Sequence, residues 1–251
     1  MNRSVIDLDS LGYIVAWNQF SKHGNTTDET RVVEHIKDYF NTILQATEAE
    51  EYMSFFGGSR NKNFRNEIYP EYKSNRPESP EWYLHWKDVM IDTFKELGAI
   101  QLSTIESDDA LSIIRNLYPE DGLLTLCHAD KDMAQCWGLH YNIKKHQQYF
   151  ITKERAKYNL FRQILIGDTT DNIPGCKNIG EKKADKLLSY VPFIERFEDV
   201  VKEQFVKAGS DYDTMYKLVK LLDDFSVESF DIKWIKNENL VLLGSLFESG
   251  S

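Results

Sequence analysis

The run GDTTDNIPGCKNIGEKKADKLL, residues 167–188, constrains the fold of this chain more than any other stretch. Its first part carries two carboxylates, Asp168 and Asp171, and a spacing of three puts both on one face if they lie at a helix end. Pro174 and Gly175 then stop any helix and turn the chain. The run therefore predicts two acids held together beside a tight turn.

The second part of the run predicts the start of a helix that can hold a phosphate. Gly175 and Gly180 have no Cβ, so the backbone can approach a bulky group closely. A helix that begins near Gly180 directs unpaired backbone N–H groups outward, which suits an anion. Lys182 and Lys183 add positive charge there. Taken alone, the run fits two solvated helices around a glycine turn equally well.

The composition limits the class of protein. The 251 residues can bury the core of one large domain or two small lobes. We expect a cytoplasmic protein without a membrane partner, because no apolar run could span a bilayer and no signal-peptide core is present. Three cysteines in no zinc-binding pattern predict reduced thiols. The net charge of −10 disfavours nucleic acid unless bound cations neutralise the acids locally.

Acidic residues follow two predicted strands. Asp7 lies in the apolar run 4–8, and Asp130 and Asp132 come directly after the apolar run 123–127. Open α/β sheets hold ligands at the carboxyl ends of their strands. These acids are therefore candidates for a shared site, although an acid in a surface turn is the alternative for Asp7.

A further acidic group opens a predicted apolar helix. Glu106, Asp108 and Asp109 suit the first turn of a helix, where acids are common for dipole reasons alone. Three carboxylates this close together are nevertheless unfavourable unless a cation lies among them. Oxygen ligands favour Mg²⁺ or Mn²⁺ over zinc.

Residues 60–76 form the main basic segment, and aromatic residues are interleaved in it. This pattern suits a single strand or a frayed end, through phosphate contacts and base stacking. A solvated loop is the alternative. Amphipathic helices are predicted over 28–45, as a core helix, and over 82–97, as a core helix or part of an arch.

Five segments, in order, resemble the 5′-nuclease family, which includes flap endonucleases, phage 5′-exonucleases and the 5′-nuclease domain of bacterial DNA polymerase I. Residues 167–188 are similar to its GDxSDNxPGxxGxGxKTAxxLL signature, and FRNEIYPEYKSNR, residues 64–76, to FRxExYxxYKxNR. The other three matches are the acid-containing segment 7–13, the ExDD motif at 106–109 and the (T/S)xDxD motif at 128–132.

The resemblance implies an α/β fold with a PIN-like core, in which helices flank a central, mostly parallel sheet. It further implies a helical arch and a helix-hairpin-helix region that binds DNA. The implied catalytic core spans residues 1–160, with the arch at 60–97, and the DNA-binding helical region spans 161–251. The implied activity is structure-specific, two-metal-ion hydrolysis of DNA phosphodiesters at 5′ ends or 5′ flaps, in replication or repair.

The resemblance also implies roles for individual residues. Catalysis is expected of Asp7, Lys73, Arg76 and Asp130. The implied ligands of two Mg²⁺ or Mn²⁺ ions are Asp7, Glu106, Asp108, Asp109, Asp130, Asp132, Asp168 and Asp171. The implied DNA contacts are Arg65, Lys73, Arg76, Gly175, Gly180, Lys182 and Lys183. The implied K⁺ site uses backbone carbonyls of Gly175, Cys176, Ile179 and Gly180.

One departure from the family leaves the function open to two alternatives. Relatives usually carry an Asp after the strand at 52–56, where this chain has Gly57 and Gly58, and Asp9 is a candidate replacement. The chain could be a catalytically impaired DNA-binding protein, although a pure binder gains nothing from many acids beside DNA. It could also be a PIN-like ribonuclease that acts on RNA.

The expected partner is duplex DNA with a 5′ flap, a nick or a free 5′ end, or an RNA–DNA primer. We expect the chain to bind this DNA as a monomer. We expect it to act in a bacterial cell or a phage-infected host.

Overall fold

The computed structural model describes residues 1–23, 28–57 and 62–238, without the side chains of residues 19, 20, 22 and 23. Gly58 and Arg60, which belong to the expectations above, lie outside the described residues, as does the apolar run at 240–247. Among the described helices, none combines the length and the apolar character that crossing a membrane requires.

A mixed, mostly parallel sheet forms the centre of the described chain, which confirms the predicted α/β class. Its strands are β1 (Arg3–Asp7), β2 (Glu51–Phe56), β3 (Ile100–Gln101), β4 (Leu124–His128), β5 (Gly138–Asn142), β6 (Gln147–Ile151) and β7 (Ile235–Lys236). They lie in the order β3–β2–β1–β4–β5–β6, and β7 also pairs with β2. β6 and β7 run antiparallel to their neighbours, and the other pairs are parallel.

Helices lie on both faces of the sheet and beyond its β6 end. They are α1 (Leu8–His23), α2 (Glu29–Ala46), α3 (Arg65–Ile68), α4 (Glu81–Glu96), α5 (Ser107–Leu117), α6 (Lys153–Ile166), α7 (Glu181–Ser189), α8 (Phe197–Ala208) and α9 (Tyr212–Val219). Short 3-10 turns span Asp132–Gln135 and Ile194–Arg196.

The central strands pack on a different apolar cluster on each face of the sheet. Val5 and Leu126 pack with residues of α5. Ile6 and Cys127 pack with residues of α1, α2 and α4. Burial on both faces explains why these strands are continuous apolar runs in the sequence, as parallel strands usually are.

The parallel register brings the carboxyl ends of the central strands to one edge of the sheet. Asp7, the last residue of β1, pairs with Phe55 of β2, and Ile6 pairs with Cys127 of β4. Residues that follow β1, β2 and β4 are therefore neighbours in space, although they are far apart in the chain.

The two predicted amphipathic helices are present and both contribute to the core. Asp28 caps α2, and its side chain accepts a hydrogen bond from the N–H of Arg31 at 3.2 Å. In α4, Trp86, Met90 and Phe94 are buried against residues of α1 and α2. The segment described as an arch thus includes a core helix, and the arch itself stays a prediction.

A third apolar cluster is formed mainly by α6, α7, α8 and α9. Tyr72, from the basic segment, packs into this cluster and joins it to the site described below. The predicted boundary after residue 160 falls inside α6, and the division into two units stays a prediction.

Asp168 and Asp171 lie in a turn, not at a helix end as the spacing suggested. α6 ends at Ile166 because Gly167 takes a φ of 72°. Asp168 and Ile173 then exchange two backbone hydrogen bonds of 2.8 and 2.7 Å. This closed turn, and not helical periodicity, fixes the two acids.

Gly175 should be indispensable to this turn. Its φ is +67°, and a Cβ there would lie 2.5 Å from backbone atoms of Ile166 and Gly167. We expect Gly175→Ala to lower the free energy of unfolding by more than about 2 kcal/mol. Gly122→Ala, where a Cβ meets nothing within 4 Å, should change it by less than about 0.5 kcal/mol. Urea unfolding measures both, and equal effects would contradict the account.

Candidate active site

Six of the eight acids proposed as metal ligands line one cavity of about 390 Å³ at the carboxyl edge of the sheet. They come from the end of β1, the start of α5, the residues after β4 and the turn after α6. The six are Asp7, Glu106, Asp108, Asp130, Asp132 and Asp171. Carboxylates from segments that are distant in the sequence therefore line the same cavity.

Asp7 is buried and fixed by hydrogen bonds at the junction of β1 and α1. It accepts backbone N–H groups of Asp9 and Ser10 at 3.0 and 3.2 Å, so it caps the first turn of α1. Its carboxylate also accepts the hydroxyls of Ser10 at 2.5 Å and Ser107 at 2.6 Å. Burial raises the pKa of Asp7, although these hydrogen bonds partly oppose the rise.

The start of α5 brings carboxylates close together. Oxygen atoms of Glu106, Asp108 and Asp109 all lie within 4.8 Å of one another. Burial, followed by the charges of Asp109 and Glu106, raises the pKa of Asp108 well above its usual range. Burial would also raise the pKa of Glu106, but the charges of Lys73 and Arg65 outweigh it and lower that pKa to about 2. The pKa values of Glu106 and Asp108 thus shift in opposite directions because, of these two acids, Glu106 is the one that contacts cations.

The carboxylate of Asp109 accepts four hydrogen bonds from protein donors. Its Oδ1 accepts Arg65 Nη2 at 2.8 Å and the N–H of Leu222 at 3.1 Å. Its Oδ2 accepts Arg65 Nη1 at 2.7 Å and the N–H of Glu106 at 3.3 Å. A carboxylate has about four acceptor positions. Asp109 therefore holds the start of α5, and its role as a metal ligand stays a prediction.

Arg65 is placed differently from the expectation that it contacts DNA. Its side chain is 2 % exposed, and it also donates to the carbonyls of Leu218 at 3.0 Å and Lys220 at 3.2 Å. The guanidinium of Arg65 therefore links α3 and α5 to the end of α9 and the residue that follows it. Its amphipathic, basic surroundings in the sequence gave no sign of this burial.

Asp130 and Asp132 extend from the loop after β4. The N–H of Asp132 donates to Asp130 Oδ1 at 2.8 Å, which sets the two carboxylates relative to each other. The ring of His128 supports the loop through a 2.8 Å contact between Nδ1 and the carbonyl of Asp130, and burial lowers the pKa of His128 to about 4. Burial, followed by the charges of Asp130 and Asp168, raises the pKa of Asp132 to about 7.

The two acids of the turn after α6 face different cavities. Asp171 lines the main cavity, whereas Asp168 lines an adjoining cavity of about 210 Å³ that shares Asp132. Lys131 Nζ lies 2.9 Å from Asp168 Oδ2. Burial alone would raise the pKa of Asp168, but this lysine and the N–H of Thr170 lower it.

Lys73 and Arg76 point into the same group of acids. Lys73 is 8 % exposed, forms an ion pair with Glu106, and places Nζ 3.6 Å from Asp171 Oδ2. Arg76 forms an ion pair with Asp171. The N–H of Lys73 also donates to the carbonyl of Asp171 at 2.9 Å, so the basic segment is anchored to the turn. Two cations are thereby held at the wall of an acidic cavity.

The start of α7 presents part of the predicted phosphate site. Gly180 precedes the helix, and Gly180, Lys182 and Lys183 are exposed, whereas Gly175 is buried in the turn behind them. Lys183 Nζ donates to the carbonyl of Asn178 at 3.3 Å. The structure therefore gathers three of the four predicted contacts of this run at one exposed helix start.

The four backbone carbonyls expected to bind K⁺ lie along the same turn. The carbonyl of Cys176 accepts the N–H of Ile179 at 3.1 Å. The carbonyl of Gly180 accepts those of Lys183 and Ala184 at 3.1 and 3.0 Å. These bonds use at least one acceptor position on the carbonyl oxygens of Cys176 and Gly180. The K⁺ site stays a prediction.

Several residues that line or brace the cavity were not expected from the sequence. Ser107 contacts Asp7, and the hydroxyl of Tyr72 donates to Glu106 Oε2 at 2.8 Å. Glu228 accepts three N–H groups from the loop before Glu106, at 2.7 to 3.1 Å. The serine and the tyrosine adjoin predicted site residues, which is a usable signal, but nothing in the sequence marks Glu228.

The crowding of acids predicts how stability depends on pH. Burial, followed by the charge of a neighbouring acid, raises the pKa of Asp9 and of Asp132 to about 7. The unfolded chain releases these protons near about pH 4. Between about pH 4 and about pH 7 these two acids bind more protons in the folded state, so their contribution to the free energy of unfolding should fall as the pH rises.

Divalent cations should raise the free energy of unfolding, and the gain should be larger at higher pH. Protons compete with the ion for carboxylates, so Mg²⁺ should raise the unfolding temperature more at about pH 8 than at about pH 5.5. Thermal unfolding in EDTA and in Mg²⁺ at both pH values measures this. An increment that is the same at both, or larger at the lower pH, would contradict it.

Comparison with known proteins identifies relatives among bacterial nucleic-acid enzymes. DNA polymerase I of Thermus aquaticus is 25 % identical over 237 residues, which cover 86 % of this chain but 28 % of the polymerase. A 5′-3′ exonuclease of Buchnera aphidicola (subspecies Acyrthosiphon pisum) is 29 % identical over 218 residues, covering 80 % of this chain and 76 % of the exonuclease. This chain thus spans about a quarter of the length of the polymerases that it matches.

Two solved structures of bacteriophage T5 proteins share the fold. A T5 protein co-crystallised with metal ions superposes with a TM-score of 0.70 at 16 % identity, covering 89 % of each chain. A T5 flap endonuclease in a pseudo-enzyme–product complex with DNA and metal ions gives a TM-score of 0.66 at 17 % identity, covering 89 % of each chain. Both confirm the expected core architecture.

A match between this chain and a family model confirms the resemblance that the five motifs indicated. The model of a family described as "5′-3′ exonuclease, N-terminal resolvase-like domain" matches residues 4–161, more than half of the chain. The chain therefore belongs to the 5′-3′ exonuclease family, through its N-terminal resolvase-like domain.

Proposed function

We propose that this chain is a structure-specific 5′ nuclease that hydrolyses DNA phosphodiesters at 5′ ends or 5′ flaps. The observation that carries the proposal is the convergence of seven carboxylates, the six above and Asp9, on one cavity that Lys73 and Arg76 also line. A site of this composition suits phosphodiester hydrolysis, in which cations and acids act together on an anionic substrate. Family membership and the T5 fold support the same activity.

The donor set of the cavity fits divalent cations. Its acids offer only oxygen, and burial and mutual repulsion raise the pKa of Asp7, Asp108 and Asp132, so each would be stabilised by a nearby positive charge. Bound Mg²⁺ or Mn²⁺, two ions in all, would supply an activated water and neutralise charge on the attacked phosphate. The residues proposed to hold them are Asp7, Glu106, Asp108, Asp130, Asp132, Asp168 and Asp171.

Lys73 and Arg76 are proposed to hold the scissile phosphate. Both lie at the cavity wall and carry positive charge next to acids that would otherwise repel an anion. Arg76 offers a planar group that can donate two hydrogen bonds to phosphate oxygens, and Lys73 a point charge. Their anchoring to the turn after α6 keeps this charge in register with Asp171.

The start of α7 is proposed to grip the duplex without reading its bases. Exposed backbone at Gly180, with Lys182 and Lys183, suits a phosphate of the DNA backbone. Glu181 lines the same adjoining cavity as Asp132 and Asp168, so this grip lies next to the acids. A K⁺ ion on the carbonyls of the turn would strengthen it, and the segment 62–97 would receive the 5′ end.

The proposed substrate is duplex DNA with a 5′ flap, a nick or a free 5′ end, including RNA–DNA primers, in replication or repair. We propose that the chain acts as a monomer in the cytoplasm of a bacterium or a phage-infected host. Its three cysteines are buried free thiols, as in a reducing compartment.

Asp130→Asn tests the proposal. Asp130 is exposed, and its side chain accepts the N–H of Asp132, a bond that Asn can also accept. Its replacement should therefore leave the fold intact. We expect cleavage of a 5′-flap DNA duplex in Mg²⁺ to fall by at least about 100-fold. Binding of the same duplex in Ca²⁺ should change by less than about threefold, because phosphate contacts dominate affinity.

The matched control is Asp38→Asn, since Asp38 is exposed on α2, outside the segments proposed to bind DNA. It should cleave like the parent protein. Parent protein that binds the flap but cleaves it in neither Mg²⁺ nor Mn²⁺ would leave a DNA-binding module. Faster cleavage of an RNA flap of the same shape would indicate a ribonuclease.

A further inference from the structure

Asp9 is an additional carboxylate at the cavity, two residues beyond Asp7 in the first turn of α1. It lines the main cavity, and it also lines a neighbouring cavity of about 220 Å³ that shares Glu106. One oxygen, Oδ2, accepts the N–H of Gly57 at 2.8 Å and lies 3.1 Å from Ser107 Oγ. Asp9 is therefore held at the site by residues from β2 and α5.

The carboxylate of Asp9 occupies the space in which a side chain at position 57 would begin. A Cβ built on Gly57 would lie 2.9 Å from Asp9 Oδ2, closer than real Cβ contacts come. The φ of Gly57 is outside the left-handed region, so its backbone does not demand glycine. The absence of a side chain there is explained by Asp9, not by backbone conformation.

Position 57 lies at the edge where the site is built. It follows β2, whose Phe55 pairs with Asp7 at the end of β1. An acid at position 57 and the acid at position 9 would thus reach the same side of the cavity from two different elements. The contact distance means that a side chain at position 57 would displace the carboxylate of Asp9 from its present position.

Asp7 and Asp9 share one hydroxyl donor, Ser107. Its hydroxyl oxygen lies 2.6 Å from Asp7 Oδ1 and 3.1 Å from Asp9 Oδ2. A hydroxyl has one proton to donate, so it cannot satisfy both carboxylates. Two carboxylates around one donor are favourable when a cation lies beside them.

We propose that Asp9 is a ligand of the divalent-cation centre, supplied by α1 on the β2 side of the cavity in place of an acid at position 57. This inference rests on the proposed function, since it assumes that the cavity binds divalent cations. It adds to the site an acid that none of the five family motifs identifies as a ligand. It also requires Asp9 to move if position 57 carries a side chain.

Asp9→Asn separates a metal ligand from a structural acceptor. Asn keeps an oxygen for the N–H of Gly57 but removes the charge. Titration of the full-length variant with Mn²⁺, by calorimetry and by the electron paramagnetic resonance signal of free Mn²⁺, should show one ion lost or its affinity lowered at least about tenfold. The unfolding temperature in EDTA should not fall. Asp38→Asn should bind Mn²⁺ like the parent.

A swap of the acid between the two positions provides the second arm. Gly57→Asp alone should weaken Mn²⁺ binding, because its side chain collides with Asp9. Asp9→Ala combined with Gly57→Asp should bind Mn²⁺ more tightly than Asp9→Ala alone, because the carboxylate returns to the same side of the cavity from β2.

The outcomes separate this inference from the proposed function. Parent-like Mn²⁺ binding by Asp9→Asn, or a double variant that binds no better than Asp9→Ala, would overturn the role of Asp9 and leave the nuclease proposal standing. A parent protein that binds no Mn²⁺ would overturn both. Reduced binding in Asp9→Asn together with recovery in the double variant supports the inference.

Discussion

The repulsion among carboxylates gathered in one cavity is the constraint on which the rest of this structure depends. Like charges brought out of bulk water disfavour their ionised forms, and the raised pKa of Asp7, Asp108 and Asp132 expresses this. Such an arrangement lowers stability and needs compensation within the fold. The surrounding elements can be understood as supplying that compensation while keeping the acids within reach of one another.

Cationic side chains provide part of the compensation. The ion pairs are Arg65–Asp109, Lys73–Glu106, Arg76–Asp171 and Lys131–Asp168. A buried pair such as Arg65–Asp109 is weak evidence for net stability, because desolvation offsets its attraction. Its clearer effect is geometric, since it fixes the start of α5. The more exposed pairs at the cavity are the ones that bound ions and a phosphate can rearrange.

The end of α9 and the segment after it brace the site from outside the family motifs. The carbonyls of Leu218 and Lys220 accept hydrogen bonds from Arg65, and the N–H of Leu222 reaches Asp109. Glu228 ties down the loop before Glu106, and backbone N–H groups lower its pKa against the opposing effect of burial. The acidic cavity is therefore held by elements from most of the described chain.

Much of the fold and the site could be predicted because both are encoded in local patterns. Apolar runs predicted β1, β2 and β4, and helical spacing predicted α2 and α4. Acids at strand ends were predictable because parallel strands end at a common edge. The burial of Arg65 was not, since its partner Asp109 is distant in sequence. The turn that holds Asp168 was misjudged because a spacing of three also fits a closed turn. The β5–β6 hairpin carries polar residues that mask its strand character.

The most direct test of the account is the position of Mn²⁺ ions in crystals of this protein, located by anomalous diffraction. The account predicts two peaks inside the main cavity, within about 2.5 Å of carboxylate oxygens from both the β1 side and the β4 side. Ions bound only to acids outside this cavity, or none at millimolar Mn²⁺ with the cavity open to solvent, would contradict it.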